Sequence, residues 1–214
     1  MSAHLVSYTQ SPNHSNIQDL ICYCARVSNP SNQFNTETNE NLIQYLIKNQ
    51  HWSPLEMVNI CLEINTTRDI ARQILRHRSF SFQEFSQRYA IADLGNEIRE
   101  PRLQDTKNRQ NSIETDNLQL KTEWEKKQED VIHLTNETYI WAIEQGIAKE
   151  QARVVLPEGN TKSRMYMNGS LRSWIHYIKL RSANGTQKEH KEIAVQCAYA
   201  ILPIFPMIMD FLSR

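Results

Sequence analysis

The chain has little glycine, and the few glycines it has stand far apart. Its 214 residues include five, at positions 95, 146, 159, 169 and 185. No two are close enough to form a Gly-x-Gly-x-x-Gly turn or a Walker loop, the backbone cradles that commonly hold phosphate groups. If this chain binds a nucleotide, it therefore does so without those cradles.

Cysteine is also scarce. Cys22, Cys24, Cys61 and Cys197 include no Cys-x-x-Cys pair, which argues against a zinc knuckle. Each lies in an apolar pattern typical of a strand or a helix, so we expect free, mostly buried and inert thiols. Such thiols indicate a reducing compartment, and we expect a cytoplasmic location. The histidines and acidic residues form no recognisable set of metal ligands.

Neither sign of charge is in excess, since the chain has 24 basic and 24 acidic residues. A nucleic-acid coat needs a net basic surface, so we expect no nucleic-acid partner. The chain contains no apolar run of about 18 residues, the length of a membrane-spanning helix. Its first residues lack the basic and apolar segments of a secretory signal. We therefore expect no membrane partner.

Apolar periodicity predicts the fold class. Val58, Ile60, Leu62 and Ile64 alternate with polar residues, which predicts a half-buried strand. The predicted strands are 4–9, 57–64 and 164–169, and the predicted helices are 16–28, 37–49, 67–77, 116–145, 148–155, 170–182 and 187–202. This pattern indicates a single compact α+β domain over residues 1–214, with a mixed β-sheet flanked by several helices and more helix than strand.

Residues 93–115 interrupt this pattern, because they are polar and contain few apolar side chains. A segment of this composition cannot contribute much to a core. We expect an excursion that lies on the surface or over a site.

A concentration of arginines begins in the helix predicted over 67–77. Arg68, Arg72 and Arg76 stand four residues apart and therefore share one helix face. His77 and Arg78 add positive charge at the helix end, where the helix dipole favours cations by up to about 1 kcal/mol. Taken alone, this pattern fits a cationic helix end as well as it fits a ligand site.

The following residues supply what an anionic ligand with a ring requires. The polar members are Ser81, Gln83, Glu84, Ser86 and Arg88, and the aromatic members are Phe80, Phe82, Phe85 and Tyr89. Guanidinium and hydroxyl donors suit a phosphate, whereas apolar walls with amide and carboxylate edges suit a heteroaromatic ring. Core packing is the alternative for one or two of the phenylalanines. A second basic set consists of Arg153, Arg172, His176 and Arg181, and a solvated helix face is its alternative role.

The segment 76–89, RHRSFSFQEFSQRY, resembles the RHRxxSxNxxSxRY signature of the flavin-dependent thymidylate synthases. Gln83 in place of Asn is the one departure at a specified position, and a pattern with so many specified positions is highly specific. The resemblance covers most of the chain. It extends to ARVS at 25–28, HWSPLE at 51–56, ARVVLP at 152–157 and the segment 170–181. Met57 stands where many members have a second histidine.

The resemblance implies roles for individual residues. The residues implied to bind dUMP are Gln73, Arg76, Glu84, Ser86, Arg88, Arg153 and Arg181. The residues implied to bind FAD are Ser28, Ser53, Glu56, His77, Arg78, Arg172 and His176. The residues implied to act in catalysis are Arg181, which would polarise the uracil, together with Ser86, Arg88 and His51. His51 would help to place the flavin or the folate.

The resemblance also implies a reaction and an assembly. The chain would methylate dUMP to dTMP with methylenetetrahydrofolate as carbon donor, and NADPH would reduce the FAD that supplies the hydride. Tetrahydrofolate would leave. FAD would lie where subunits meet in a homotetramer. No cysteine falls in the signature, which agrees with chemistry that uses no protein thiolate and relies on its cofactor.

Three other hypotheses stand beside this one. A single-stranded nucleic-acid module could stack bases on the aromatics, although the neutral net charge counts against it. A different flavoenzyme, or a homologue that binds nucleotide without turnover, is opposed by the intact Arg76, Ser86, Arg88 and Arg181. A purely structural helical protein leaves the signature unexplained. The remaining histidines, His4, His14, His133 and His190, are interpreted as surface or hydrogen-bonded core residues.

Overall fold

A computed structural model describes residues 1–213 of the chain. In chain order its elements are β1 (Ser2–Tyr8), α1 (Ile17–Ala25), α2 (Asn39–Lys48), β2 (Asn59–Thr67), α3 (Arg68–Ile74), β3 (Ser81–Glu84), β4 (Arg102–Gln104), β5 (Ser112–Glu114), α4 (Leu118–Glu144), α5 (Lys149–Ala152), β6 (Lys162–Ser170), α6 (Leu171–Arg181) and α7 (Lys188–Ile201). Short 3₁₀ helices span Pro30–Asn32, Ser53–Met57, Arg153–Val155 and Pro206–Phe211. Helix makes up 46% and strand 18%, which confirms an α+β fold with more helix than strand.

The central sheet has four strands in the order β1-β2-β6-β3. Alternation along β2 buries Ile60, Leu62 and Ile64 completely, as the sequence predicts. On β6 the same alternation buries Met165 and Met167 beside them. The apolar faces of α6 and α7 complete this core.

The expectation of a mixed sheet is wrong, because every described strand pairing is antiparallel. β3 does run in the same direction as β2, since α3 carries the chain back along the sheet between them. β6 lies between these two strands and pairs with both. The chain enters β6 at Lys162, opposite the last residue of β2, Thr67, and so runs antiparallel to each neighbour.

Residues at both ends of the long helix α4 favour its observed start and end. The Asn117 side chain accepts a hydrogen bond from the Leu120 backbone N–H at its start. Gly146 follows its last turn with φ of 76°, a conformation that favours glycine. Leu134 and Trp141 on this helix remain 64% and 57% exposed. α4 therefore presents apolar side chains to solvent as well as to the domain.

The polar segment 93–115 contains a hairpin, β4–β5, that the sequence does not predict. Arg99 attaches the segment to the domain, because its guanidinium pairs with Asp69 at 2.7 Å. The Gln128 side chain of α4 accepts a hydrogen bond from the Arg99 backbone N–H at 2.9 Å. The segment is therefore held against α3 and α4 by polar contacts.

All four cysteines are free thiols. Cys22 and Cys197 are buried, whereas Cys24 and Cys61 are partly buried. Burial raises the pKa of each thiol, to about 11 for Cys22, and this disfavours the reactive thiolate. Among residues 1–213, no helix combines the length and the apolar character that a membrane crossing requires.

Candidate active site

A groove of about 670 Å³ contains three of the residues expected at the flavin. These are Glu56, Arg172 and His176. Arg172 and His176 lie one turn apart on α6, and Arg172 forms an ion pair with Glu56. The His176 ring packs against Trp52 with centroids 4.8 Å apart. Burial, with the nearby positive charge of Arg172, lowers the pKa of His176 and favours the neutral ring.

The shape of this groove depends on a glycine. A Cβ atom at Gly169 would overlap with the ring of Phe80, so a side chain here would displace that ring. Phe80 in turn packs edge-on against the buried Trp174. The Phe80 and Trp174 rings therefore form an apolar layer behind Gly169, beneath the polar side chains of the groove.

The ends of α3 and α6 meet at one hydrogen bond. The Arg181 Nε donates to the His77 Nε2 over 2.9 Å. Because a guanidinium only donates, His77 must accept at Nε2 and is therefore uncharged. Burial, followed by the positive charge of Arg181, lowers the pKa of His77 to about 4. Arg76 and Arg78 lie exposed on either side of His77.

Gln73 extends from α3 towards α7. Its amide nitrogen donates to the Gln187 side chain at 2.7 Å, and its amide oxygen lies 3.1 Å from His190 Nδ1. Gln73, Arg76, His77 and Arg181 thus form one group, which we call the α3–α6 group.

A second group lies beyond the end of β3. Arg88 contacts Glu150 of α5 at 3.2 Å, and the Arg153 Nε donates to the Glu150 backbone oxygen at 3.4 Å. The Ser86 hydroxyl accepts a hydrogen bond from the Arg88 backbone N–H at 3.4 Å. The signature segment and the 152–157 segment therefore meet at Glu150. We call Ser86, Arg88 and Arg153, together with Glu84, the β3–α5 group.

Glu84 is held by basic residues and a hydroxyl. The Ser163 hydroxyl donates to Glu84 at 2.8 Å, and Arg68 and Arg72 lie 3.7 and 3.6 Å from its carboxylate. Both arginines also pair with Glu158, at 3.3 and 3.1 Å. Arg68 and Arg72 therefore support Glu84 in this structure. The predicted stripe of three arginines is wrong in its last member, because α3 ends at Ile74 and Arg76 lies in the turn that follows.

The two groups make no direct polar contact with each other within the described part of the chain. No hydrogen bond or ion pair in the described part of the chain joins Gln73, Arg76 or Arg181 to a member of the β3–α5 group. Along β3 itself, Ser81 lines the groove, whereas Glu84 lies three residues further, roughly 10 Å away. The structure thus divides the residues expected at dUMP into two sets.

Four expected residues lie outside these clusters, and one of them, Arg78, is exposed beside His77. Ser28 is exposed in the loop after α1, and Ser53 is exposed at the start of the 3₁₀ helix Ser53–Met57. His51 is also exposed, and its ring contacts the edge of Tyr45 with centroids 5.9 Å apart. Their expected roles remain predictions.

Sequence reasoning missed several residues that the structure places at these clusters. Glu150 and Glu158 bind the arginines, and Ser79 and Asn168 line the groove. A signal was present for the two glutamates, because they flank the 152–157 segment. His190 is fully buried with hydrogen-bond partners, which agrees with the interpretation of a satisfied core histidine.

Comparison with known proteins identifies the family to which the chain belongs. Residues 4–207 match the family model described as thymidylate synthase complementing protein. A probable flavin-dependent thymidylate synthase from Paramecium bursaria Chlorella virus 1 is 47% identical over 215 residues, which cover 100% of this chain and 99% of the viral protein. The chain belongs to the flavin-dependent thymidylate synthase family. A flavin-dependent thymidylate synthase from Synechocystis sp. is 50% identical over 191 residues, covering 89% of this chain and 87% of the relative.

A solved structure shares the fold of this family member. The UMP/dUMP methylase PolB from Streptomyces cacaoi, bound with 5-Br dUMP, superimposes with a TM-score of 0.81 at 25% sequence identity. The match covers 98% of this chain and 93% of PolB. The sheet and helices that carry both groups are therefore common to the two proteins.

Proposed function

We propose that this chain methylates dUMP to dTMP with methylenetetrahydrofolate as carbon donor, FAD as cofactor and NADPH as reductant, and releases tetrahydrofolate. The observation that carries the proposal is the contact between Arg181 and His77. It joins the signature segment to the second basic set, which lies about a hundred residues further along the chain. Both segments were expected at one site because of the family resemblance, and folding places them together.

The groove fits a flavin nucleotide in chemistry and in size. Arg172 supplies a guanidinium for a diphosphate, Ser79 and Ser81 supply hydroxyls, and Asn168 supplies an amide. A cavity of about 670 Å³ is in the range of cofactor sites. When bound, the flavin would supply hydride chemistry that no side chain of this protein offers. Arg172 would then exchange part of its contact with Glu56 for the cofactor.

Arg181 is the residue best placed to stabilise charge on a pyrimidine. Its Nε is already bound to the uncharged His77, which orients the guanidinium plane. The two Nη groups are left to donate to a carbonyl oxygen on which negative charge develops. Fixed donors of this kind stabilise a transition state without reorganisation during the reaction.

The β3–α5 group is suited to the phosphate of the nucleotide. Arg88 and Arg153 both meet Glu150, and Arg88 and Glu150 are about half exposed. A phosphate brings more negative charge than one carboxylate and can accept both guanidinium groups. We therefore expect the nucleotide phosphate to displace Glu150 from Arg88.

The separation of the two groups leads us to include a homotetramer in the proposal. A complete site would combine the α3–α6 group of one subunit with the β3–α5 group of another. The exposed Leu134 and Trp141 of α4 supply apolar surface of the kind that subunit contacts cover. The site would then lie at an interface.

Absorbance spectroscopy tests the activity. We expect purified protein to bind FAD, to lose the flavin band on anaerobic addition of NADPH, and to recover it with dTMP formation. Recovery should require both dUMP and methylenetetrahydrofolate. Reduced flavin that remains unchanged with both substrates present would overturn the activity, and a protein that cannot be reconstituted with FAD would overturn the cofactor assignment.

Mixing two variants tests the shared site, in an assay at a dUMP concentration far below the KM of Arg88→Ala, where each variant alone has little turnover. Arg76→Ala removes a member of the α3–α6 group, and Arg88→Ala removes a member of the β3–α5 group. Tetramers re-formed from both variants should regain part of the wild-type turnover, because some sites then contain neither substitution. Arg76→Ala mixed with Arg181→Ala is the matched control and should stay inactive. A first mixture no more active than this control would contradict a site shared between subunits.

A further inference from the structure

A chain of hydrogen bonds runs from the polar segment 93–115 to Gln73. Arg102 of β4 donates to Glu189 at 2.6 Å, and the Gln187 amide donates to the other oxygen of Glu189 at 2.9 Å. The Gln73 amide donates to Gln187 at 2.7 Å, and His190 Nδ1 lies 3.1 Å from the Gln73 oxygen. We call this set of five residues the amide relay.

The carboxylate of Glu189 determines the direction of every bond in the amide relay. Burial alone would raise the pKa of Glu189. Its own backbone N–H, Gln187 and Arg102 hold that pKa below its ordinary value, so the group is an anion. An anionic carboxylate only accepts, so Gln187 must present its NH₂ to Glu189 and its oxygen to Gln73.

The direction of these bonds also determines which ring nitrogen of His190 carries the proton. Gln73 must then present its NH₂ to Gln187 and its oxygen to His190, so His190 must carry its proton on Nδ1. The His190 Nε2 is left as an acceptor for the Tyr177 hydroxyl, 3.2 Å away. His190 is fully buried, and burial, followed by the positive charge of Arg181, lowers its pKa to about 3. An uncharged ring with a single proton is what the relay requires.

The amide relay is also connected to His77 of the α3–α6 group, through Tyr177, the hydrogen-bond partner of His190. The buried Tyr177 packs edge-on against His77 with ring centroids 4.9 Å apart. His77 in turn accepts the hydrogen bond that orients Arg181. His190 therefore contacts Gln73 directly, and Tyr177 contacts Arg181 indirectly, through His77.

We propose that Arg102, Glu189 and His190 are positioning residues that fix the sense of the Gln73 amide and so set the affinity for dUMP. This inference rests on the proposed function in one respect, the contact between Gln73 and the nucleotide. It assigns a role to the segment 93–115, which holds one end of the relay without touching the site. An amide with both ends engaged keeps one N–H free in a single defined direction.

The test compares dUMP binding by FAD-loaded variants in two backgrounds. Glu189→Gln replaces an obligate acceptor with an amide that can turn either way, and Arg102→Ala removes the charge that holds the acceptor. Arg109→Ala is the matched control, because Arg109 is an exposed arginine in the same segment. Each substitution is made in the wild type and in Gln73→Ala. Calorimetry reports the dUMP Kd, and flavin content reports whether the site is intact.

We expect Glu189→Gln and Arg102→Ala to weaken dUMP binding by roughly 5- to 10-fold in the wild-type background, the effect of one net hydrogen bond. In the Gln73→Ala background the same changes should weaken it by less than about twofold, because the group they orient is absent. Arg109→Ala should have no effect in either background. An equal loss in both backgrounds would indicate a general structural role and overturn the proposal.

A second measurement does not depend on dUMP. Nitrogen-15 NMR of the histidine rings should find the His190 proton on Nδ1 in the wild type and a mixture of tautomers in Glu189→Gln. A proton on Nε2 in the wild type would overturn the relay itself. A wild type that shows the Nδ1 proton but binds no dUMP would leave the relay standing and would overturn the proposed function instead.

Discussion

The two halves of the candidate site hold their polar side chains in opposite ways. In the α3–α6 group, the contacts are made to uncharged side chains that are half-buried, as His77 and Gln187 are, or buried, as His190 is at 0% exposed. In the β3–α5 group, Arg88 and Glu150 form an ion pair in which the side chains are 55% and 48% exposed. Buried hydrogen bonds are costly to break, whereas an exposed ion pair contributes little and exchanges readily. We therefore propose that the first half orients a ligand and that the second half exchanges one carboxylate for another anion.

Substitution of the two arginines should show the largest difference between the halves. Arg181→Ala should lower kcat by about 10²- to 10³-fold, because it removes a donor that acts on developing charge. Arg88→Ala should mainly raise KM for dUMP, because a phosphate contact stabilises bound substrate and transition state alike. Steady-state kinetics at matched flavin content measures both. A loss confined to KM in Arg181→Ala would remove the distinction.

Acid should destabilise the folded protein through His77 and His190. The folded protein holds the pKa of His77 at about 4 and that of His190 at about 3, below the ordinary value of 6.5. The unfolded chain therefore binds more protons below about pH 6.5, and stability is lost as the pH falls from 6.5 towards 4. Each histidine contributes a slope of up to about 1.4 kcal/mol per pH unit.

Urea unfolding at fixed protein concentration measures this slope. His190→Leu should flatten the dependence between pH 6.5 and 4, whatever its effect on stability at pH 7, because the depressed pKa of His190 is removed. An unchanged slope in this variant would show that His190 does not contribute to the loss of stability in acid.

Removal of the exposed carboxylate should have the smallest effect. Glu150→Gln deletes one partner of a half-exposed ion pair and should change the free energy of unfolding by less than about 1 kcal/mol. The variant should bind dUMP as tightly as the wild type or a few-fold more tightly, because the phosphate no longer competes with a carboxylate for Arg88. Thermal unfolding and calorimetry measure the two quantities. Weaker dUMP binding would show that Glu150 positions Arg88 instead of competing for it.

Local patterns determined much of this protein by themselves. The alternation along β2 predicted its buried face, and the helix predicted over 116–145 ends within one residue of α4, because both depend on residues near in sequence. The segment 76–89 identified the family, since it combines many specified side chains at set spacings. Chemistry that depends on residue type and local spacing can therefore be predicted from the sequence without the structure.

Only the tertiary structure decided which distant groups meet. The insertion of β6 between β2 and β3 made the sheet antiparallel, and no local pattern records the order of strands. The partner of Arg88, the uncharged state of His77 and the connection of Arg102 to Gln73 were likewise undetermined. Each depends on burial and on a hydrogen-bond partner from a remote segment. The identity of a polar residue does not specify its hydrogen-bond partner, because long-range packing determines which remote residue lies beside it in the folded chain.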